Sequence, residues 1–350
     1  MDRSKVYIIG IHVIALFLAL LWACGGIQFP GVKDGDVYDY GHGMPPPVPS
    51  EGKIALLTWN ISYAYGIGSS GQGYVPHSPA EFQGRLERIG KIIKESEADI
   101  VFLQEVDFDS HRSHHVNQLE ELAKVSGLRY AASVISWEAN YIPFPLWPPQ
   151  HHFGMVHSGG AVLSRYPIIN NQAMLHPKPS RNFWLRNMFY LFRYSQWVQI
   201  QIGSRDVIVI NNHLESYDKD NRVLQANVLA KMIEIIDNSK YVIIFGGDMN
   251  TIPRGASVRY SYADDERGDF RDDATMEIIS GIGGFKEVVS YEESLRDEAA
   301  FFTYPSNAPN RRLDYIFVPG NMKVLEARVL VVGSSSDHLP VKAILEWNYN

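Results

Sequence analysis

Short apolar runs that end abruptly in polar residues recur along this chain. "KIALLTWN" ends at Asn60, "DIVFLQE" at Glu105, "DVIVINNH" at His213 and "VIIFGGD" at Asp248. Apolar runs of about four to eight residues bounded by turn signals are typical of buried strands. The same pattern predicts further strands at "GGAVLSRYPI", "WVQIQIG", "RRLDYIFVP", "KVLEARVLVV" and "LPVKAILEW".

Two longer segments have a helical period instead. Apolar residues recur at helical spacing between residues 79 and 99, and again between 221 and 238. Strands alternate with these helices, yet several neighbouring strands are joined by loops too short for a helix. That mixture predicts an α/β fold with two packed sheets and helices outside, rather than one doubly wound sheet. Residues 51–350 are interpreted as a single domain.

Composition and charge narrow the class of protein. The chain has 350 residues, of which 45% are hydrophobic and 20% charged, as in a folded globular protein with a sizeable core. A net charge of -7 weakens the case for a protein that coats nucleic acid backbones. It does not exclude a nuclease, because a bound divalent cation would offset local negative charge. The single cysteine excludes an intramolecular disulfide framework and a cysteine-rich zinc site.

Residues 1–24 have the layout of a secretory signal. Arg3 and Lys5 precede an apolar run from Val6 to Ala23, and Cys24 follows. The junction "LLWACGG" resembles a bacterial lipoprotein signal with Cys24 as the lipidated residue, although Trp22 is bulky for that motif. The alternative is an uncleaved membrane anchor, because about 18 apolar residues can just span a bilayer. Both interpretations predict a membrane-tethered, extracytoplasmic protein, located in the periplasm or at the cell surface.

Residues 25–50 are rich in Gly, Pro and Asp and have no apolar period. This composition is typical of an extended, flexible linker. We therefore expect a tether between the N-terminal segment and the folded domain.

The candidate chemistry lies where buried strands end. Such polar side chains cost free energy unless they are paired or bind something, and ligands of α/β sheets gather where strand ends meet. The "GG" before Asp248 allows a sharp exit from the strand and a close backbone approach. Because Asp248 and Asn250 are two residues apart, we expect both to point to one side of an extended chain. The candidates at the ends of apolar runs are Asn60, Glu105, His213, Asp248 and Asn250. Asp314 lies inside "RRLDYIF", and Asp337 and His338 precede "LPVKAIL".

Six motifs, in order from Trp59 to Pro340, resemble those of the endonuclease/exonuclease/phosphatase superfamily. They are "TWNIS", "LQEVD", "NNHLES", "GGDMN", "RLDYIF" and "SSDHLP". The superfamily includes pancreatic-type deoxyribonucleases, abasic-site endonucleases, neutral sphingomyelinases and inositol polyphosphate phosphatases. The resemblance implies a four-layer α/β sandwich with two central mixed β-sheets flanked by helices. It also implies phosphoester hydrolysis by in-line attack of water, with Mg²⁺ as the usual metal and Mn²⁺ or Ca²⁺ as alternatives.

The resemblance also implies residue roles. Glu105 would hold the metal, with Asp337 as a metal-side carboxylate and Asn60 orienting the ligand or the phosphate. Asp248 would position and deprotonate the attacking water, while Asn250 and His338 would donate hydrogen bonds to the phosphate. Asp314 matches the carboxylate that pairs with His338, and His213 matches a second histidine of the deoxyribonuclease and sphingomyelinase branches.

Structural roles remain open for several of these residues. Glu105 could form a strand-end salt bridge, His213 could be a hydrogen-bonded core residue, and Asn60 could form a turn. Asp337 could cap a loop. One departure concerns Ser62, because abasic-site endonucleases have an acidic residue at that position. A metal shell of the abasic-site type is therefore not expected.

The aromatic residues between Trp137 and Trp197 give the information on the substrate class. "YIPFPLWPPQHHFG" and "RNFWLRNMFYLFRYSQW" combine aromatics with Pro, Arg and His, and about half of these rings should pack in the core. Exposed ones such as Trp147 suit a lipid interface or an apolar substrate wall. Arg181, with Arg186 and Arg193, could contact phosphate headgroups or form a solvated face.

These features favour a phospholipid or small phosphodiester over nucleic acid. The aromatic pattern resembles the superfamily domain linked to GPI-anchor lipid remodelling. A sphingomyelinase-like substrate is the other lipid candidate, because "LQEVD" resembles the sphingomyelinase and deoxyribonuclease branches. An extracytoplasmic nuclease is the alternative, because bases stack on the same rings. A catalytically inactive surface lipoprotein that binds a phosphorylated ligand is a third hypothesis. We expect a monomer that contacts the membrane through its N-terminus.

Overall fold

The computed structural model describes residues 3–26, 28–41, 52–67 and 76–347. Two seven-stranded mixed sheets form its centre, as the sequence analysis predicts. In spatial order, sheet A contains β1 (Gly31–Asp34), β7 (Ile168–Leu175), β8 (Tyr194–Ile202), β9 (Arg205–His213), β10 (Val242–Asp248), β14 (Asp314–Pro319) and β13 (Phe285–Glu287). Sheet B contains β15 (Val324–Val329), β16 (Val341–Glu346), β3 (Lys53–Asn60), β4 (Ile100–Asp107), β6 (Gly154–Ser164), β5 (Tyr130–Ile142) and β2 (Asp36–Asp39).

The described helices are α1 (Arg3–Ala23), α2 (Pro79–Glu95), α3 (Gln118–Ser126), α4 (Trp184–Phe189), α5 (Lys219–Ile235), α6 (Thr275–Ser280) and α7 (Tyr291–Arg296). A separate hairpin consists of β11 (Tyr260–Tyr262) and β12 (Asp265–Asp269). Within the described part of the chain, no helix is both long and apolar enough to cross a bilayer.

Three apolar layers hold the sandwich together. α2 and α3 pack on the outer face of sheet B, and α5 and α6 pack on the outer face of sheet A. The inner faces of the two sheets pack against each other, for example through Leu56, Phe102, Val209 and Ile244. The order is therefore helices, sheet B, sheet A, helices, which confirms the predicted four-layer α/β sandwich.

The predicted tether is corrected by the structure. Residues 31–34 pair with β7 at the edge of sheet A, and residues 36–39 pair with β5 at the edge of sheet B. Gly35 lies at the crossing, where an added Cβ would meet the Asn171 side chain at 2.3 Å. Short polar strands at a sheet edge need no apolar period, because their backbones supply the hydrogen bonds. Residues 42–50 of the predicted tether lie outside the described residues.

Candidate active site

Three neighbouring strands of sheet A have polar side chains in one row, at the end of β9, the end of β10 and the start of β14. Asp248 of β10 is in register with His213 of β9 on one side and Asp314 of β14 on the other. Alternate residues of a strand face opposite sides, and Phe245 and Phe317 pack against the helices. The three polar residues therefore lie on the inner face, between the two sheets. Gly247 (φ +129°) permits the approach of β9 there, because a Cβ would meet the Asn212 carbonyl oxygen at 2.0 Å.

Sheet B contributes Asn60 and Glu105 from adjacent strands. Asn60 ends β3 opposite Gln104, and Glu105 follows within β4. The pairing of β4 with β6 shifts register between Leu103 and Val106, and Glu105 has φ +56°. Such a bulge changes the direction of a side chain relative to regular alternation. The placement of Glu105 therefore depends on this local irregularity.

The loop before β16 brings His338 to the same place. The Trp59 indole N–H donates to the His338 carbonyl oxygen at 2.9 Å. Ser336 links the loop to β3, because its hydroxyl donates to the Asn60 carbonyl oxygen at 2.6 Å and accepts from the His338 N–H at 3.1 Å. Asp337 lies between them, so both residues of the "DH" pair are fixed against sheet B.

Asp248 is the centre of this arrangement. The Asn60 amide donates to its Oδ2 at 3.0 Å, and the Asn250 amide donates to the same atom at 3.2 Å. The Asn250 backbone N–H donates to Oδ1 at 2.9 Å. Burial raises the pKa of Asp248 to about 6, against the lowering effect of His338. Two amides and one backbone N–H thus fix the orientation of a buried carboxylate.

The expectation of an extended chain from Asp248 to Asn250 needs correction, whereas the predicted hydrogen bond from Asn250 to a phosphate stays a prediction. The residue has φ +49° and forms a turn, rather than continuing an extended chain. Its amide donates to the Leu214 carbonyl oxygen at 2.9 Å as well as to Asp248. The short Asn side chain tolerates the left-handed region and bonds its local backbone there. In this structure Asn250 therefore holds Asp248 in place.

His338 forms a buried pair with Asp314. Its Nδ1 lies 2.8 Å from Asp314 Oδ2, and its Nε2 lies 3.7 Å from Asp248 Oδ2. Burial by itself would lower the pKa of His338, but Asp314 and Asp248 outweigh it and raise the pKa to about 10. His338 is therefore an imidazolium at neutral pH, with Nδ1–H directed at Asp314 and Nε2–H directed into the site.

His213 occupies the opposite side of Asp248. Its Nε2 lies 3.5 Å from Asp248 Oδ2 and 3.7 Å from Glu105 Oε1. Burial, together with the neighbouring Arg193 and His338, lowers its pKa well below the ordinary value. The two histidines consequently differ in charge, with His213 neutral and His338 positive.

Arg193 is placed differently from the headgroup-contacting or solvated role considered from the sequence. It is only 5% exposed and contacts His213 Nε2. Its guanidinium donates to the Ser216 hydroxyl at 2.7 Å and lies 3.9 Å from the buried Glu215 carboxylate. Glu215 also accepts from the Tyr190 hydroxyl at 2.7 Å. The burial of Arg193 is therefore explained by the Glu215 carboxylate, which compensates the guanidinium charge behind His213.

Glu105 and Asp337 fit a divalent cation. Burial, with Asp337 as the next contribution, raises the pKa of Glu105 to about 7, and burial also raises the pKa of Asp337. Mutually repelling carboxylates are stabilised by a cation between them, and Mg²⁺ prefers such oxygen ligands. Asp248, Asp314 and His338 also place potential ligand atoms within 4.8 Å of one another. Mg²⁺ prefers oxygen ligands, and the two carboxylates on the Glu105 side supply them, so that side suits the cation better.

Left-handed backbone conformations concentrate around the site. Besides Glu105 and Asn250, the consecutive residues Ser62, Tyr63 and Ala64 have φ values of 51°, 52° and 62°. Such conformations are costly for residues other than glycine and cluster at functional sites. The loop after Asn60 therefore has the strained geometry expected of an active-site wall.

A polar link between the sheets was missed by the sequence analysis. The Gln104 amide donates to Asn211 Oδ1 at 2.7 Å, and Asn211 donates to the Leu103 carbonyl oxygen at 2.9 Å. Both residues are fully buried next to the strand-end residues. A polar residue one or two positions before the site residue, as in "FLQE" and "INNH", is the signal that could have found this link.

The remaining predicted residues lie outside this cluster. Arg181 is exposed and pairs with Asp220. Trp147 is 80% exposed in the loop between β5 and β6, whereas Phe153 of the same loop is buried. The Cys24 side chain is buried directly after α1. Its lipidation stays a prediction. The structure therefore brings together the catalytic and metal candidates but not Arg181, Trp147 or Cys24.

Comparisons with known proteins point to one family. A model of the endonuclease/exonuclease/phosphatase family matches residues 57–338. A protein of this family from Beutenbergia cavernae superposes with a TM-score of 0.56 at 20% identity, over 85% of this chain and 72% of that one. One from Bacteroides thetaiotaomicron gives 0.56 at 17%, over 85% and 95%. TDP2 of D. rerio, complexed with a single-strand DNA product, gives 0.54 at 16%, over 84% and 99%. The comparison with curated proteins gave no match.

Proposed function

Because the chain belongs to the endonuclease/exonuclease/phosphatase family, we propose that it is a divalent-metal-dependent phosphoester hydrolase. Its substrate is a phospholipid or another small phosphodiester. The observation that carries the reaction class is the position of Asp248, a buried carboxylate held by two amides between a neutral and a charged histidine. This arrangement provides a proton acceptor for water beside a donor for the phosphate.

Each side chain has a distinct part in the reaction. Asp248 accepts a proton from the attacking water, and Asn60 and Asn250 keep its oxygens aligned. His338 donates a hydrogen bond from Nε2 to a phosphoryl oxygen, and Asp314 holds its ring through Nδ1. His213 is kept neutral by burial and by Arg193, and its Nε2 lies 3.5 Å from Asp248 Oδ2. Preorganised groups of this kind need not reorient as charge develops.

Glu105 and Asp337 would hold Mg²⁺, with Asn60 nearby. Bound there, the ion would polarise a phosphoryl oxygen and stabilise the leaving oxygen. The two carboxylates would stay ionised in its presence, because the cation replaces their mutual repulsion with attraction.

A lipid substrate is supported by surface features. The N-terminal run from Val6 to Ala23 has no charged residue, and Leu146, Trp147 and Trp184 are all more than half exposed. A net charge of -7 disfavours extended contact with a nucleic acid backbone. The D. rerio relative, which is described with a DNA product, keeps an extracytoplasmic nuclease as the second candidate.

The mechanism is tested by Asp248→Asn, assayed with Mg²⁺ on a generic phosphodiester. We expect kcat to fall by about 10³-fold or more, because the variant lacks the proton acceptor. Asp272→Asn is the matched control, since that carboxylate is 86% exposed and pairs only loosely with Lys219 at 3.5 Å. An Asp248→Asn enzyme as fast as wild type would refute the mechanism.

The substrate class is tested by comparing phospholipids, plasmid DNA and inositol phosphates with the wild-type chain. Chelation of divalent cations should abolish turnover, and added Mg²⁺ should restore it. Cleavage of DNA alone would overturn the lipid preference. Binding of phosphate compounds without any turnover would favour the inactive binding protein instead.

A further inference from the structure

α1 has an apolar surface that the rest of the described chain does not cover. Its described apolar side chains include Ile11, Val13, Ile14, Leu16 and Phe17, each at least 51% exposed. Successive helical residues are rotated by about 100°, so these positions cover more than half of the helix circumference. Ala15 and Ala19, with His12, lie on the remainder. A protein partner covers one face of a helix, whereas a helix that is apolar all round suits a lipid environment.

The end of α1 is fixed to the domain next to two loops with exposed aromatic residues. The Asn140 amide donates to the Trp22 carbonyl oxygen at 2.7 Å, and the Gln28 amide donates to the Glu138 carbonyl oxygen at 2.9 Å. Both contacts involve the end of β5. The loop that follows exposes 80% of Leu146.

The second loop, called the α4 loop, comprises residues 176–193 around α4. Trp137 of β5 connects it with the first loop, because the Trp137 ring also packs on Phe153, with ring centroids 6.0 Å apart. The Trp137 indole N–H donates to the Phe189 carbonyl oxygen at 2.9 Å, which links β5 to the end of α4. Within this loop the Lys178 ammonium donates to the Asn187 carbonyl oxygen at 2.8 Å. At the start of α4, Phe183 and Trp184 are 64% and 55% exposed.

The α4 region also borders the candidate active site. Tyr190, directly after α4, donates to Glu215, and Glu215 compensates Arg193 behind His213. Tyr217, two residues beyond Glu215, is 72% exposed. The exposed aromatics therefore lie between the end of α1 and the wall of the site.

From this continuity we propose that α1, the β5–β6 loop and the α4 loop form one bilayer-docking face that turns the active-site rim toward the lipid surface. Aromatic residues such as Trp147 and Trp184 are suited to the boundary between headgroups and acyl chains. Residues 31–39 bind the edges of both sheets, so the domain cannot swing freely about α1. The face rests on the proposed function only for its link to a lipid substrate, because docking itself requires no hydrolysis.

The test places an environment-sensitive dye on the full chain in a Cys24→Ser background, where an introduced cysteine is the only one. Leu146→Cys and Trp184→Cys report on the face. Val331→Cys is the control, because Val331 is 90% exposed after β15, at the edge of sheet B opposite β2. Phosphatidylcholine vesicles in chelator should shift emission to the blue at 146 and 184 but not at 331.

A second measurement titrates vesicles against charged variants. Leu146→Glu and Trp184→Glu should each weaken the partition coefficient by about tenfold or more, while Val331→Glu leaves it unchanged. The proposal would be overturned if the protein sediments with the vesicles while the dyes at positions 146 and 184 keep the emission they have in water. An equal blue shift at position 331 would overturn it as well. A concentration-dependent shift without vesicles would assign the face to a second copy of the chain. Because chelator prevents turnover, these outcomes are independent of the Asp248→Asn result.

Discussion

The surroundings of Asp248 decide what that carboxylate can do. Its oxygens receive three N–H donors, and a histidine nitrogen lies within 3.7 Å on either side. Burial raises its pKa to about 6, so it remains mostly ionised at neutral pH and is a better base than an exposed aspartate. In the proposed mechanism, the difference in charge between His213 and His338 separates the side of the attacking water from the side of the phosphate.

Asp314→Asn tests the pair with His338. The variant keeps a hydrogen-bond acceptor but removes the charge that favours the imidazolium, so we expect kcat to fall by about 10²-fold. The alkaline limb of the pH–rate profile should shift to lower pH than in the wild type, because the pKa of His338 falls in the variant. His338→Gln should lower kcat by a similar factor. In the double variant, kcat should fall by less than the product of the two single factors. Fully independent effects would contradict a functional pair.

His176 provides a pH test outside the cluster around Asp248. It is buried, with Nε2 3.0 Å from the Ser195 hydroxyl, and burial lowers its pKa from 6.5 to about 3. The unfolded chain therefore binds more protons between these values, and stability falls as pH drops from about 6.5. His176→Gln should remove about 1.4 kcal/mol per pH unit of this acid destabilisation in urea unfolding. His213 contributes with the same sign and serves as the unchanged background.

At the scale of elements, alternation along the strands builds the site. Residues facing outward pack on helices, and the residues between them face the other sheet, so strand-end polar groups from both sheets meet in one layer. Helix α2 is an example of an element whose limits are encoded locally. Ser78 and Glu81 form a capping box at its start, with Pro79 at the first helical position.

Ser78→Ala should lower the free energy of unfolding by about 1 kcal/mol, because the first turn of α2 loses its cap. Lys91→Ala on the same helix is the comparison. It breaks only the exposed pair with Glu87, so the expected cost is about 0.3–0.5 kcal/mol. Chemical denaturation distinguishes the two, and equal losses would argue against the cap as the source of stability.

At the scale of the whole molecule, residues 31–39 connect the edges of the two sheets. β1 and β2 pair with β7 and β5, and the Asn171 amide donates to the Asp36 carbonyl oxygen at 2.8 Å between them. This segment fixes the N-terminal part of the chain to the sandwich. The orientation of the active site relative to α1 depends on it.

Gly35→Ala tests this connection. The new methyl group would meet the Asn171 side chain and the Ser133 carbonyl oxygen, at 2.3 and 2.4 Å, so the segment must shift. We expect amide exchange of residues 31–39 to accelerate by about tenfold or more while the central strands are unaffected. Gly84→Ala is the control, because no atom lies within 4 Å of its added Cβ and a helical alanine is favourable. Unchanged exchange in Gly35→Ala would contradict the connecting role.

The sequence by itself determined the elements that depend on local pattern. Alternating and continuous apolar runs gave the strands, the helical period and cap gave α2, and the polar residues at strand ends identified the family. These signals are visible because each is a property of neighbouring residues. Local pattern therefore predicted two packed sheets with helices outside. The resemblance of six motifs to one superfamily implied the four-layer sandwich, which the structure confirms, and phosphoester hydrolysis, which stays a proposal.

Only the tertiary structure decided features that depend on residues distant in sequence. The direction of Glu105 follows from a bulge against β6, and the burial of Arg193 from compensation by Glu215. The strands at 31–39 form because two sheet edges offer unpaired backbone groups. A local pattern contains no information on such partners, since the free energy that selects them arises only when the sheets pack together.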